Sequence, residues 1–281
     1  MPELPEVETI RRVLDEVLPG LRIREVLVRR EKMLRGQSCD RFKEGLMGKS
    51  IVGVDRRGKF LLTRLDSGSL LLHLGMSGRI IVHGKDEKSD VPPLELPDKH
   101  THLILKLSGG RYLYFHDPRM FGRFQLLAAE DEARLLDRLG PEPLGREFSI
   151  DYFRRALERR KVPVKALLLE QRLVSGIGNI YADEALFRAG IDPHTAGCQL
   201  KPDEISRLRA AVRSVLRKAV KRKGTSISDY VDPRNRRGTF QQCLEVYGRE
   251  GRSCRRCGCS IRKDVVAQRG THWCPRCQSA G

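Results

Sequence analysis

The sequence predicts an α+β protein of two domains: a β-rich, sandwich-like N-terminal domain with one capping helix, then a helical C-terminal domain that ends in a cysteine-bearing ribbon. Three observations carry this prediction. Short apolar runs divided by turn residues fill much of the first half of the 281-residue chain. Apolar residues at helical spacing fill most of the second half, and two Cys-x-x-Cys pairs stand near its end. The expected divisions are 1–139 for the β-rich domain, 140–238 for the helical domain with a long loop, and 239–281 for the ribbon.

Taken in order, Pro5 suits the first turn of a helix, where its missing N–H leaves no bond unmade. Val7, Ile10, Val13, Leu14, Val17 and Leu18 then recur at helical spacing, so a helix is predicted over 5–18, ended by Pro19-Gly20. From 21 to 127 the pattern becomes β-rich: IREVLVRR, FLLTRL, SLLLHLGMSGRIIV, HLILKL and RYLYFHD read as strands, with DSG and SGG as turns. After GPEPLG at 140–145 the chain turns helical, with helices predicted over 149–160, 162–171, 179–190 and 202–223. Residues 224–238 are polar and hold Gly and Arg, and they read as a long surface loop. Loops of that length usually carry function.

Lys and Arg number 54 against 36 Asp and Glu, a net charge of +18. The excess is lopsided: 28 basic and 13 acidic residues lie in 151–281, against 26 and 23 in 1–150. Such a charge points to a polyanion, nucleic acid first, although charge alone does not separate DNA from RNA or acidic lipid. No apolar run reaches the ~18–20 residues of a membrane span, and no signal peptide is read at the N-terminus, so a cytosolic setting is expected.

Cys254, Cys257, Cys274 and Cys277 form C-x2-C-x16-C-x2-C. Each pair can place two sulfurs on one side of a tetrahedral zinc, and the residues between can form a hairpin over the site. Four protein ligands leave no open position, so one structural Zn2+ is expected. Two redox-active pairs are the alternative. Cys39, Cys198, Cys243 and Cys259 fall outside the spacing. Arg252, Arg255, Arg256, Arg262, Lys263, Arg269 and Arg276 make the ribbon a candidate phosphate-binding surface.

The chain opens Met1-Pro2-Glu3-Leu4-Pro5-Glu6. Removal of Met1 would expose a secondary amine on Pro2 with a pKa of about 7.7–8.0, able to attack an aldehyde-level carbon and form an iminium beside the Glu3 carboxylate. By itself the segment reads more readily as a helix start with acidic residues at its positive end.

The opening PELPEVET, HLGMSG (73–78), DPRMFG (117–122), GPEPL (140–144), GIGNIYADEALF (176–187), VYGREG (246–251) and AQRGTHWCPRCQ (267–278) occur in one order. Together they resemble formamidopyrimidine-DNA glycosylase from Pro2 almost to the last residue. The resemblance implies a bifunctional glycosylase/AP lyase that excises oxidised purines from double-stranded DNA and cleaves the abasic strand by β,δ-elimination. It implies a cleft between the domains that receives duplex DNA, and a helix–two-turn–helix element in the helical domain. It makes Pro2 the nucleophile at C1′, Glu3 the proton donor to the leaving base, and Glu6 a further member of the same site. Lys59 becomes a phosphate contact and proton donor in β-elimination, and Arg269 a clamp on the flanking phosphates that assists δ-elimination. Asn179, at a helix start, would bind phosphate with its amide, and His100, Arg119 and Arg160 match further DNA contacts. Met76, Arg119 and Phe121 match the trio that fills the gap left by a flipped nucleotide; on residue type alone Met76 and Phe121 read rather as core and Arg119 as a solvated charge.

Met120 stands where family members often carry a basic residue. The endonuclease VIII branch, which favours oxidised pyrimidines, typically has Gly in place of Leu4 and lacks the long loop. A non-catalytic zinc-ribbon DNA-binding protein would explain the charge and cysteines but not Pro2-Glu3 or Lys59. The expected partner is lesion-containing duplex DNA, with no membrane, in a monomer of the bacterial cytosol and nucleoid.

Overall fold

A computed structural model describes residues 2–83, 96–227 and 230–279. Its chain divides into two compact units, Met1–Asp137 with Arg222–Thr239, and Arg138–Lys221 with Phe240–Gly281.

The first unit begins with α1 (Leu4–Val17), followed by β1 (Ile23–Val28), α2 (Cys39–Leu46), β2 (Ile51–Arg57), β3 (Phe60–Leu65), β4 (Ser69–His73) and β5 (Arg79–His83). Then come β6 (Thr101–Leu107), β7 (Tyr112–His116), β8 (Arg123–Leu127) and α3 (Ala129–Leu136). Two four-stranded antiparallel sheets result, ordered β1-β6-β7-β5 and β2-β3-β4-β8. Their alternating apolar residues meet in one core: Val26, Leu103, Leu105, Leu113 and Phe115 from the first sheet pack with Val54, Leu61, Leu72 and Phe124 from the second. Helix α1 adds Val7, Ile10 and Leu14 to this core, and α2 adds Phe42 and Leu46. The sandwich expected from the sequence is present, with corrections to its parts. SLLLHLGMSGRIIV is two strands that belong to different sheets, separated by a turn that opens at Gly75 (φ 63°). The strands β2 and β8 and the short helices α2 and α3 are additions to the elements expected from the pattern.

The second unit holds α4 (Ile150–Leu157), α5 (Val164–Leu169), α6 (Asn179–Ala189) and α7 (Pro202–Lys221), then the hairpin of β9 (Arg262–Val266) and β10 (Arg269–Trp273). Ser149 caps α4 by accepting the Tyr152 N–H at 3.0 Å, and Gly190 (φ 70°) ends α6 in a left-handed turn. The Arg213 guanidinium of α7 donates to the carbonyls of Pro143, Leu144 and Gly145, which fixes the GPEPL turn. No described helix is long and apolar enough to cross a membrane.

Residues 224–238, expected as a surface loop of the helical domain, instead pack within the first unit. The Glu6 side chain accepts the Thr225 N–H at 2.7 Å, Tyr230 Oη donates to Glu6 O at 3.2 Å, and Val82 N–H reaches Pro233 O at 3.3 Å. The ribbon, expected as a separate segment, folds into the same unit as the helices for a similar reason. The buried Lys165 and Asp183 bind its second strand, and buried Glu184 accepts the N–H groups of Glu245, Val246 and Tyr247 at 2.9–3.0 Å.

Candidate functional site

Pro2 precedes α1, and Glu3 is its N-cap residue. Glu3 and Glu6 are both buried, at 2% exposure. The Glu6 carboxylate takes two backbone donors from distant parts of the chain, Glu3 N–H through Oε2 at 2.8 Å and Thr225 N–H through Oε1 at 2.7 Å. It therefore joins the N-terminal segment to the base of the 224–238 loop. A Cβ at Gly224 would fall 2.7 Å from Glu6 Oε1, so only glycine fits there, and its φ of 83° demands the same. Burial first, and then the Glu6 charge, push the Tyr230 phenol well above its usual range, so it stays a protonated donor to the Glu6 carbonyl.

Lys59 lies in the two-residue turn between β2 and β3 and is largely buried. His73, at the end of β4, pairs across the ladder with Phe60, the residue after Lys59. Burial, followed by the positive charges of Lys59 and Arg123, holds the His73 imidazole down to about 4. Neutral His73 accepts the Gly75 N–H on Nδ1 at 3.1 Å and so sets the turn that carries Met76. His73 lies inside the HLGMSG segment, but its role depends on Lys59 and Arg123 and is not visible locally. The sign of its linkage is clear. An imidazole with a depressed folded pKa contributes full stability above its unfolded value of ~6.5 and progressively less as pH falls to about 4, where the cost reaches ~3 kcal/mol. His73→Asn keeps the acceptor and removes the titration. Its unfolding free energy should decline less than that of the wild type between pH 6.5 and 4, and parallel declines would exclude His73 as the source.

Asp117 is the second site residue that the pattern does not single out. It is fully buried, and its Oδ1 accepts from Ser77 Oγ at 2.5 Å and Arg119 N–H at 3.3 Å. Its Oδ2 accepts the Gly122 N–H at 2.8 Å, and its carbonyl lies 2.9 Å from His102 Nε2. One carboxylate thus orders the turn bearing Met76 and the turn bearing Arg119 and Phe121. Met76 is 39% and Phe121 47% exposed, so neither is core, and the Arg119 guanidinium lies 5.2 Å from the Phe121 ring centre. Met120 has φ 55° in this turn. His100 packs edge-on to His116 at 5.7 Å, beside the His116–Asp98 pair at 3.2 Å.

In the second unit, Asn179 starts α6 and its Nδ2 donates to Gly270 O at 2.9 Å. The expected phosphate-binding amide therefore also ties α6 to the hairpin. Lys165 Nζ reaches the same carbonyl at 3.0 Å, Thr271 Oγ1 at 2.7 Å and Asp183 Oδ1 at 2.6 Å. These bonds fix the strand that begins at Arg269, an exposed residue directly after a turn in which Ala267 and Gln268 both have positive φ. Arg160 is half-exposed and paired with Glu170 at 2.5 Å, so its charge is partly compensated.

The four cysteines converge, with ligand atoms all within 4.8 Å of one another. Cys254–Cys277 and Cys257–Cys274 sulfurs are 3.9 and 3.5 Å apart. Tetrahedral zinc with ~2.3 Å bonds places its sulfurs about 3.8 Å apart, whereas a disulfide needs ~2.05 Å. The donor set therefore fits zinc and not two disulfides. Cys259 stays outside the cluster.

Comparison with known families matches residues 1–124 to the formamidopyrimidine-DNA glycosylase N-terminal domain and 139–231 to the H2TH domain of the same enzyme. Residues 253–280 match a zinc finger found in FPG and IleRS. Formamidopyrimidine-DNA glycosylases of Pelotomaculum thermopropionicum and Heliobacterium modesticaldum are 43% and 45% identical to the chain, each over 99% of it and over 99% and 100% of the relatives' lengths. A crystal structure of a Lactococcus lactis FPG point mutant with Fapy-dG containing DNA superposes with a TM-score of 0.90 at 38% identity, covering 99% of this chain and 100% of that one. The MutM (FPG) protein of Thermus thermophilus gives 0.87 at 45% identity, with both chains fully covered.

Proposed function

This chain belongs to the formamidopyrimidine-DNA glycosylase family, and on that footing we propose how its own residues perform the chemistry. The activity is that of a base-excision repair DNA glycosylase and AP lyase acting on oxidised purines, with one structural zinc. The Glu6 carboxylate carries the residue assignment, because it holds the Pro2-Glu3 backbone and the 224–238 loop in a single hydrogen-bonded arrangement.

Once Met1 is removed, the Pro2 nitrogen attacks C1′ of the damaged nucleotide. The C1′–base bond breaks, and the base leaves with its electron pair and a proton from Glu3. The sugar ring opens as the iminium forms; Pro2 gives up its N–H proton and the ring oxygen becomes a hydroxyl. Loss of a C2′ proton then expels the 3′ phosphate, and a second elimination expels the 5′ phosphate. Lys59 holds phosphate and supplies a proton in the first elimination, and Arg269 holds the flanking phosphates and assists the second. Met76, Arg119 and Phe121 occupy the gap in the base stack, which offsets the few kcal/mol of unstacking. Asn179 with the backbone N–H groups at the start of α6, His100 and Arg160 grip phosphate and set register without reading sequence. Zinc supports the ribbon and enters no step. The protein acts as a monomer in the bacterial cytosol and nucleoid.

Backbone N–H groups of the loop can read the edge of an oxidised purine, a discrimination that apolar contacts alone do not supply. Deleting residues 226–236 should therefore lower 8-oxoguanine excision by roughly tenfold more than cleavage at a preformed abasic site, about 1.4 kcal/mol of lost recognition. Gel-resolved single-turnover rates on the two duplexes check this, and equal losses would reduce the loop to a structural element. A wild-type preference for thymine glycol over 8-oxoguanine would move the protein to the pyrimidine branch.

A further inference from the structure

We infer that Asp232 is a specificity-determining positioning residue: its buried carboxylate holds the 232–236 turn of the lesion-reading loop in one conformation, a role that rests on the proposed function of that loop. Asp232 is 1% exposed. Its Oδ1 accepts the N–H groups of Arg234 and Arg236, both at 2.9 Å, and its Oδ2 accepts Nε and lies 2.9 Å from Nη2 of the Arg236 guanidinium. The main chain closes the same turn: Asp232 N–H donates to Arg236 O at 2.9 Å, and Asn235 N–H donates to Asp232 O at 2.8 Å. Asn235 takes φ 60°, a left-handed conformation that asparagine tolerates better than most residues.

This clip is fastened to α1, which follows Pro2-Glu3, and to β5, which follows the turn bearing Met76. Arg234 Nη2 lies 2.9 Å from Glu16 Oε2 of α1, and Pro233 O accepts the Val82 N–H of β5. Ser226 Oγ bridges the two limbs of the loop, accepting from Gly238 N–H at 2.9 Å and donating to Tyr230 O at 2.8 Å. One limb thus hangs on Glu6 and the other on Asp232. None of residues 232–238 belongs to the apolar core of the unit, so the carboxylate contributes to one loop conformation rather than to the packing of the sandwich. A buried polar network of this kind, fully satisfied, selects a single geometry; with its acceptor removed it leaves the Arg236 guanidinium and two N–H groups without their partner.

A loop that is competent for only a fraction of the time lowers apparent recognition by that fraction. Asp232→Ala should reduce single-turnover 8-oxoguanine excision by roughly tenfold, the loss expected for charge-assisted hydrogen bonds. Cleavage of an abasic-site duplex should stay within about twofold, because that substrate presents no base to read. Asp232→Asn, which keeps an oxygen for the Arg234 and Arg236 N–H groups, should recover part of the loss. Equal decline on both duplexes, or no decline on either, overturns the assignment. Measuring the wild type on thymine glycol separates the two levels. A wild type that prefers thymine glycol overturns the purine reading, whereas a selective loss of base excision over abasic cleavage in Asp232→Ala on the preferred lesion still supports the clip.

Discussion

Pro2→Gly should lower both base excision and iminium trapping by roughly 10²–10⁴-fold, the range for losing a positioned catalytic group. Glycine keeps an α-amine, but a primary one with free φ, so both the nucleophile and its approach to C1′ change. The substitution leaves the fold intact, because α1 begins after Glu3 and draws its burial from Val7, Ile10 and Leu14. A second form that retains Met1 has an acylated Pro2 nitrogen and should trap nothing, although its side chains are unchanged. Borohydride trapping on an 8-oxoguanine duplex measures both forms, and their thermal unfolding verifies folding. Normal trapping by either form would remove Pro2 as the nucleophile.

Such a result concerns a part of the molecule that the sequence displays openly. The helix over 5–18 and the one over 202–223 repeat apolar residues along one face, and the structure places α1 and α7 within two residues of those limits. Strand β2 is hidden because IVGVDRR mixes a glycine and three charges into seven residues, and β8 because RFQLL sets Arg and Gln among its five. The loop at 224–238 misleads for a different reason. It is polar, and polarity suggests solvent, yet its Thr225 N–H donates to the buried Glu6 carboxylate and its Arg234 N–H to the buried Asp232, contacts that hydropathy does not register. The same limit applies to His73 and Asp117, each of which also depends on partners distant in sequence: Lys59 and Arg123 for the first, Ser77 and His102 for the second. Motif recognition finds the residues proposed to face DNA; it does not find the carboxylate and imidazole that hold their turns in place.

The zinc site yields the other large effect. Among the described residues, the buried cluster around the cysteines adds Phe187, Val246 and Ile261, and Phe187 belongs to α6. A core of this size cannot offset the entropy of ordering the segment, so the metal must supply the difference. Structural zinc supplies about 10–16 kcal/mol of apparent binding free energy at neutral pH. Cys257→Ser or Cys277→Ser removes one thiolate from the tetrahedron and should drop the zinc content well below one per chain. The β9–β10 hairpin would then lose its base, and with it the fixed position of Arg269, even though Lys165 and Asn179 still present their donors to Gly270. Affinity for an abasic-site duplex should fall at least about tenfold. The salt dependence of binding should weaken by about one unit of log–log slope for each phosphate that the ribbon no longer engages. The first unit has its own core of sandwich residues and should keep its unfolding transition. Metal analysis, binding at two salt concentrations and calorimetry together check this. Wild-type protein without zinc, or a zinc-free variant that binds DNA as tightly as the wild type, would contradict the structural role.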